Sequence, residues 1–385
     1  MIYLDHAATT PPDATVVRAV ADCMASAWHN PGAAYSASEA ARRILRLARQ
    51  TVAGMLNARP QEVLFTASGT EGNNQALTLA KGGHAIVGAV EHASVLKAAR
   101  RHAGEVTVIP PDGNGRIQPE AVERALRPDT RLICVQYANN ETGALQPVAE
   151  IGALARSRRV PFLCDAVQAF GKAPIDVRAL NVDLLTLSAH KLYGPRGAGC
   201  LYVRQGVPLV PLLEGGGQEF GLRSGTENVP AIEGMRVAAE LAASDMEARA
   251  EREKALAAGF LARLRALVPS CRLLAENAPR LPGVMALLLP GLQSEQAVAD
   301  LDLMGIQVSA GAACSARSEH VSHVYRAMGL EEKDARCVIR VSLGRENTSE
   351  EMAIAAAAIA KVYGKRCEQS DKSEVVGIFH NTTKK

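Results

Sequence analysis

No two of the eight cysteines form a C-x-x-C pair, and none falls at a zinc-ligand spacing. That absence sets aside a structural zinc module or any other metal centre of that kind. Several cysteines lie inside apolar runs, "LICVQ", "PFLCDA" and "AGCLYV", where the residue serves as a small core hydrophobe. Free thiols in a reducing compartment are expected. Charge of one sign is also lacking: 43 basic against 40 acidic residues leave a net +3 over 385 residues. With no basic stripe, a nucleic-acid partner is not expected. Long hydrophobic runs are missing too. The most apolar stretches, "GVMALLLPGL" and "MAIAAAAIA", are too short to span a bilayer, so no membrane partner is expected. The opening "MIYLDHAATT" has neither a basic n-region nor an apolar h-region. A secretory route is therefore not expected, the N-x-S/T triplets at Asn347 and Asn381 read as chance matches, and a cytoplasmic location is the default. No internal repeat is visible.

What is there has the balance of a globular chain, 48% hydrophobic and 22% charged, and is long enough for two domains. From about residue 60 to 205, apolar or β-branched runs alternate with helix-like stretches. "EVLFT", "HAIVGAV", "EVTVI", "RLICVQY", "VPFLCD", "DLLTLS" and "GCLYV" read as strands, with "TEGNNQALTLAKG", "ASVLKAARRHAG", "PEAVERALR" and "VAEIGALARSRR" as helices between them. Nearly continuous apolar strands separated by helices predict an α/β fold with a mainly parallel sheet covered on both faces. A long helix is expected over about 230–268, followed by a mixed region to about 365. There Thr348 and Glu351 form a capping-box pattern at the start of the last helix. The residues after Gly364 show no periodicity and are expected to be a mobile tail.

In parallel sheets, ligands collect outside the carboxyl ends of the strands. Five polar groups fall at such junctions: Ser68-Gly69-Thr70, His92, Asn139-Asn140, Asp165, and Ser188 with His190 and Lys191. Each alone has an ordinary explanation, since a strand-end Asp commonly caps a helix and paired Asn residues make turns. Together they match the needs of pyridoxal phosphate. That cofactor takes a lysine amine for its aldehyde, a carboxylate for its pyridine nitrogen, and N–H and hydroxyl donors at a helix start for its phosphate.

At this point the chain resembles a cysteine desulfurase of the fold-type I, class V aminotransferase family, the NifS/IscS-like branch. "YLDHAATTP", "FTASGTEGNN", "EHASV", "NNETGALQP", "DAVQAFGK", "SAHKLYGPRGAG", "GGGQEFGLRSGTENV", "VSAGAACSA" and "IRVSLGR" follow one another in family order across about residues 2–363. The resemblance implies a large domain over 15–255 with a seven-stranded, mainly parallel sheet between helices. It also implies a smaller α+β domain from 1–14 and 256–365, and 366–385 as the tail. It makes Lys191 the Schiff-base lysine and Asp165 the partner of the pyridine nitrogen. Asn140 and Gln168 would bind the phenolic oxygen, and His92 would stack on the ring and move protons. Gly69, Thr70, Ser188 and His190 would hold the phosphate, and Thr226 would reach the phosphate of a neighbouring subunit in a homodimer. Arg340 would grip the substrate carboxylate.

Cys314 stands apart from the other cysteines, in the small-residue stretch "QVSAGAACSARSEH". By the resemblance it is the nucleophile: its thiolate attacks the sulfur of L-cysteine, L-alanine leaves, and the enzyme keeps a persulfide. A sulfur-acceptor protein, serving iron–sulfur cluster assembly or tRNA thiolation, would take that sulfur. The alternatives are a selenocysteine lyase, another class V transferase, or a sulfur-relay protein without catalysis. Three departures stand out: His6 where the family commonly has Asn, Phe220 where it has Arg, and His320-Val321 where it has Glu-Pro.

Overall fold

The computed structural model describes residues 1–311 and 321–381, with side chains through 365. In chain order its strands are β1 (Ile2–Tyr3), β2 (Val63–Thr66), β3 (His84–Gly88), β4 (Glu105–Ile109), β5 (Thr130–Cys134), β6 (Phe162–Asp165), β7 (Leu184–Ser188), β8 (Gly199–Val203), β9 (Arg272–Leu273), β10 (Val284–Leu288), β11 (Ile306–Gln307) and β12 (Val338–Ser342). The helices are α1 (Ala14–Ser26), α2 (Glu39–Leu56), α3 (Gly69–Ala76), α4 (Ala93–His102), α5 (Pro119–Ala125), α6 (Val148–Arg158), α7 (Val229–Leu267), α8 (Ser294–Leu303), α9 (His323–Ala327), α10 (Glu332–Ala335) and α11 (Ser349–Asn381). The chain divides into two compact units: residues 9–139 with 144–247, and residues 1–8 with 140–143 and everything from Ala248 onward. Among the described residues no helix is long and apolar enough to cross a membrane.

The first unit is α/β. Its sheet has seven strands in the order β2-β8-β7-β6-β5-β3-β4, each arising from one of the seven apolar runs. Only β8 runs against its neighbours, pairing antiparallel with both β2 and β7. Burial follows from that arrangement. Central strands such as β3, β7 and β8 are buried at every position, whereas the edge strand β4 is mostly open. Helices seal the faces with apolar stripes; Leu45, Ala48, Val52 and Leu56 of α2 recur at helical spacing and are all buried. One core cluster joins Leu77 and Val95 to Val87, Leu132, Leu163, Leu184 and Leu201 of the sheet.

The second unit has an antiparallel sheet β12-β10-β9 and a parallel pair, β1 with β11. Its core gathers Phe260, Leu264, Met285, Leu287, Leu301, Ile339, Val341 and Ile359. The short segment 140–143 is pinned within it. The Leu281 N–H donates to the Gly143 carbonyl at 2.9 Å, and Arg280 donates to the Thr142 carbonyl at 3.0 Å. Gly143, at φ +78, lies so near the Val284 carbonyl that a Cβ would meet it at 2.8 Å, so glycine is required there. The capping box forms as its residue pattern predicts: Glu351 N–H donates to Thr348 Oγ1, and Thr348 N–H to Glu351 Oε2, both at 3.2 Å. The stretch after Gly364, aperiodic in sequence, continues α11 as helix to Asn381.

Candidate active site

Four of the five polar junctions sit in the first unit, at the carboxyl ends of strands that run in one direction. β2 leads to Gly69 and Thr70, β3 to His92, β6 ends on Asp165, and β7 ends on Ser188 before His190 and Lys191. Real contacts join these ends. α3 starts at Gly69, capped by Ser68, whose Oγ accepts the Glu71 N–H at 3.2 Å. A Cβ on Gly69 would stand 2.5 Å from the Val167 side chain, two residues beyond Asp165. Only glycine lets the helix start approach that closely, and the first N–H groups of a helix have no intrahelical acceptor. The region is therefore shaped to receive an anion.

Ser188 is buried, and the turn from Ala189 to Lys191 is closed by main-chain bonds from Leu192 N–H and Gly194 N–H to the Ala189 carbonyl, at 3.1 and 3.0 Å. Gly194 allows the fold-back, because a Cβ there would meet that carbonyl at 2.7 Å. His190 is held from the N-terminal side: Thr10 Oγ1 donates to its carbonyl at 2.9 Å, and its Nδ1 lies 3.1 Å from Thr9 Oγ1. Burial, with the charges of Lys191, Lys172 and Arg196, pushes the His190 imidazole down to about 4. It is neutral at pH 7 in a cationic neighbourhood, which suits a phosphate.

Asp165 is held by two donors. Its Oδ1 accepts the Val167 N–H at 3.0 Å and its Oδ2 accepts from Asn73 Nδ2 at 2.8 Å. Asn73 also donates to Ser94 Oγ at 2.9 Å, and its Oδ1 accepts from Thr186 Oγ1 at 2.8 Å. These partners fix the amide orientation, since only the NH2 side can serve a carboxylate. Ser94 Oγ in turn lies 2.8 Å from His92 Nδ1, which also accepts the Ser94 N–H at 3.2 Å. His92 Nδ1 is therefore an acceptor, and the ring carries its proton on Nε2. One chain of bonds thus runs from Thr186 through Asn73 to Asp165 and, by Ser94, to His92.

Asn73 carries this network, and the sequence reading missed it although the residue stands inside the quoted "GTEGNN". Glu91 was missed too. It is fully buried, takes the Gln136 N–H at 2.6 Å, and has its carboxyl pushed well above the usual range by burial, with the Asp165 charge adding to the rise against that hydrogen bond. Gln168 is buried beside them and accepts from Lys172 Nζ at 3.3 Å. Thr226 is exposed, on a loop tied to α3: Arg223 pairs with Glu71 at 2.9 Å and Gln75 Nε2 donates to the Leu222 carbonyl at 2.7 Å.

Asn140 and Arg340 belong to the second unit. The Arg340 guanidinium, 1% exposed, donates to the Asn140 carbonyl at 3.0 Å and to Asp5 Oδ1 at 2.6 Å. Cys314 lies outside the described residues. On one side of that segment the Ser309 hydroxyl donates to the Gly311 carbonyl at 2.8 Å, and on the other Ser322 Oγ donates to Glu141 Oε2 at 2.7 Å. Cys23, Cys134, Cys164, Cys200, Cys271 and Cys337 are all buried and free. Burial raises their thiols, Cys271 to about 11 and Cys200 to about 12, so none is poised as a thiolate.

The residues present fit pyridoxal phosphate: a helix start with its glycine, a buried carboxylate held by two donors, and a lysine on the adjoining strand end. The comparisons agree. Residues 2–354 match the family described as Aminotransferase class-V. The cysteine desulfurase IscS of Anaeromyxobacter dehalogenans is 41% identical over 97% of this chain and 95% of its own length. That of Clostridium botulinum (strain Hall) is 36% identical over 96% of each. The solved structure of a NifS-like protein from Rickettsia africae superposes with a TM-score of 0.88, at 32% identity, covering 94% of this chain and 99% of that one.

Proposed function

Because the chain belongs to the aminotransferase class-V family, we propose how its own residues divide the work of the reaction. The protein is a pyridoxal-phosphate-dependent cysteine desulfurase, a fold-type I enzyme related to IscS and NifS-like proteins. The observation that carries the assignment of roles is the buried Asp165 network, a carboxylate held at a strand end with its charge directed by Asn73 and the Val167 N–H.

When bound, pyridoxal phosphate supplies an electron-accepting ring conjugated to the nitrogen of the amino-acid substrate. Asp165 holds the pyridine nitrogen, and Gly69, Thr70, Ser188 and His190 hold the phosphate. Lys191 supplies the amine that anchors the cofactor and then moves a proton at the substrate's α-carbon. His92, with its proton on Nε2, would stack on the ring and serve as the second proton carrier. Asn140 and Gln168 bind the phenolic oxygen, and Arg340 takes the substrate carboxylate by its planar guanidinium.

The Cys314 thiolate attacks the sulfur of L-cysteine. A sulfur–sulfur bond forms as the substrate's carbon–sulfur bond breaks, so sulfur is oxidised as carbon is reduced. Protons are returned to that carbon fragment, and the products are L-alanine and a Cys314 persulfide. Two findings support this choice of cysteine: the six described thiols are buried, and Cys314 lies in the one small-residue stretch among the cysteine contexts. The working form is a homodimer in which Thr226 reaches the phosphate of the neighbouring subunit. It acts in the cytoplasm and passes its sulfur to an acceptor protein of iron–sulfur assembly or tRNA thiolation.

Sulfide and alanine released from L-cysteine with a reductant test these roles. Lys191→Ala should lose activity by about a hundredfold or more. Cys314→Ala should keep the visible absorbance of the bound cofactor yet release no sulfide. Sulfide release by Cys314→Ala at the wild-type rate would overturn the persulfide assignment, and a protein that cannot be loaded with pyridoxal phosphate would overturn the whole reading.

A further inference from the structure

Arg340 is almost wholly inaccessible, yet its guanidinium is only partly satisfied. One arm donates to the Asn140 carbonyl, the other donates to the Asp5 carboxylate at 2.6 Å, and Nε has no hydrogen-bond partner among the described residues. Asp5 reaches this place through the main chain and not by the sweep of a long side chain. The Ser342 N–H donates to the Leu4 carbonyl at 2.7 Å, Leu4 N–H donates to the Gln307 carbonyl at 2.8 Å, and Asp5 forms a β-bridge with Ser342. The Arg340 backbone is fixed equally well, exchanging both bonds with Ser309 at 2.7 and 3.1 Å. The carboxylate and the guanidinium are thus placed opposite each other by two fixed strands.

A carboxylate gripped by arginine is held best by two parallel N–H bonds from one edge of the guanidinium. On Arg340 one edge has an open Nε–H, and the neighbouring arm already serves Asp5. That Nε–H is buried and unmet among the described residues, and a two-point grip on the same edge would bring a carboxylate against the Asp5 charge. We propose that Asp5 is an internal competitor for the substrate's α-carboxylate. It neutralises the buried guanidinium in the substrate-free chain and keeps simple anions off it. It yields the shared arm only to a ligand whose other contacts hold its carboxylate there, which sets the affinity for a free α-amino acid. This inference rests on the assignment of Arg340 as the carboxylate receptor.

The test is calorimetric titration of the holoenzyme with the product L-alanine, and separately with acetate. Asp5→Asn keeps an oxygen acceptor on the same arm but removes the charge. It should bind L-alanine about five- to tenfold more tightly than wild type and should bind acetate, where the proposal expects wild type to bind none. Asp5→Ser, a smaller neutral change, carries the same expectation should Asp5→Asn not fold. Unchanged or weaker L-alanine binding by a folded, cofactor-loaded Asp5 variant would overturn the proposal. Arg340→Gln separates the two layers. If it abolishes L-alanine binding while the Asp5 variants gain nothing, only the competitor role falls. If it binds L-alanine as wild type does, the receptor assignment falls and the competitor role with it.

Discussion

Replacing Asn73 by alanine should weaken cofactor binding from a position that need not touch the cofactor. The side chain is 1% exposed and makes three hydrogen bonds, to Asp165, to Ser94 and from Thr186. A bond to an ionised acceptor contributes about 1.5–3 kcal/mol and a neutral one about 1 kcal/mol, so the deletion should cost roughly 3–5 kcal/mol of stability. The Asp165 share bears on the cofactor, because among the described residues its carboxylate then keeps only the Val167 N–H as a fixed donor and can turn away from the pyridine nitrogen. A loss of about 1.5–3 kcal/mol there corresponds to roughly ten- to hundredfold weaker binding. Titrating apoenzyme with pyridoxal phosphate by visible absorbance reads that ratio, and a thermal melt reads the stability loss. Ser94→Ala is the control, since His92 Nδ1 keeps the Ser94 backbone N–H. It should change cofactor affinity by less than about threefold. Wild-type cofactor affinity in folded Asn73→Ala would refute the reasoning, because Asp165 would then be held without its buried donor.

Arg49 and Glu219 form a paired contact at 2.6 and 2.9 Å with little exposure on either side, and Glu219 also accepts the Phe65 N–H at 2.8 Å. Glu219→Gln should therefore destabilise by about 3–5 kcal/mol in denaturant unfolding, as breaking one partner of a buried pair does, and the double change Arg49→Met/Glu219→Gln by less. The His190 imidazole is held near 4 in the fold against an ordinary value of 6.5. Between those two values the unfolded chain binds the extra proton, so stability is full above about pH 6.5 and declines as pH falls toward 4. In the cofactor-free protein, His190→Gln should flatten the melting temperature across that window relative to wild type. Gly199→Ala should destabilise by about 1–3 kcal/mol and weaken cofactor binding. Its Cβ would meet the Ser68 backbone and the Leu187 carbonyl, both at 2.8 Å, and would push the α3 start off the sheet. Thermal melts and the same absorbance titration check both effects.

The sheet was legible because its strands are buried on both faces, so burial writes each as an unbroken apolar run; all seven runs are strands of one sheet. The strand order was not, because pairing depends on crossovers that leave no local mark. β8 reads like its parallel neighbours and runs the other way. At the site, residues at strand ends stood out, as polar groups at the close of apolar runs must. Asn73 did not. It sits inside a helix, where an Asn reads as a solvent-facing residue, and its partners lie 21, 92 and 113 positions away. Asp5 is hidden for the same reason, 335 positions from Arg340 in sequence. The helical continuation of α11 past Gly364 was hidden for a different one: the sequence there has no apolar period to read.

Two residues that the resemblance marks as departures, Phe220 and His6, are held by their surroundings. Phe220 lies in the left-handed region at φ +61, between Glu219 at +47 and Gly221 at +78. Two non-glycine residues in that region are costly, and something must hold them there. The Arg49 guanidinium does so. It grips Glu219 and lies 4.8 Å from the ring centres of both Phe65 and Phe220. A cation over two rings is stabilising, whereas a second guanidinium at position 220 would stand against the first. Phe220 and Arg49 are thus a matched pair, and the loop ahead of Thr226 keeps its path by a cation–ring contact. His6 follows the same logic. It packs where any side chain at position 344 would collide with its ring, so Gly344 is the condition for His6. In both places the residue packs against a partner inside its own unit.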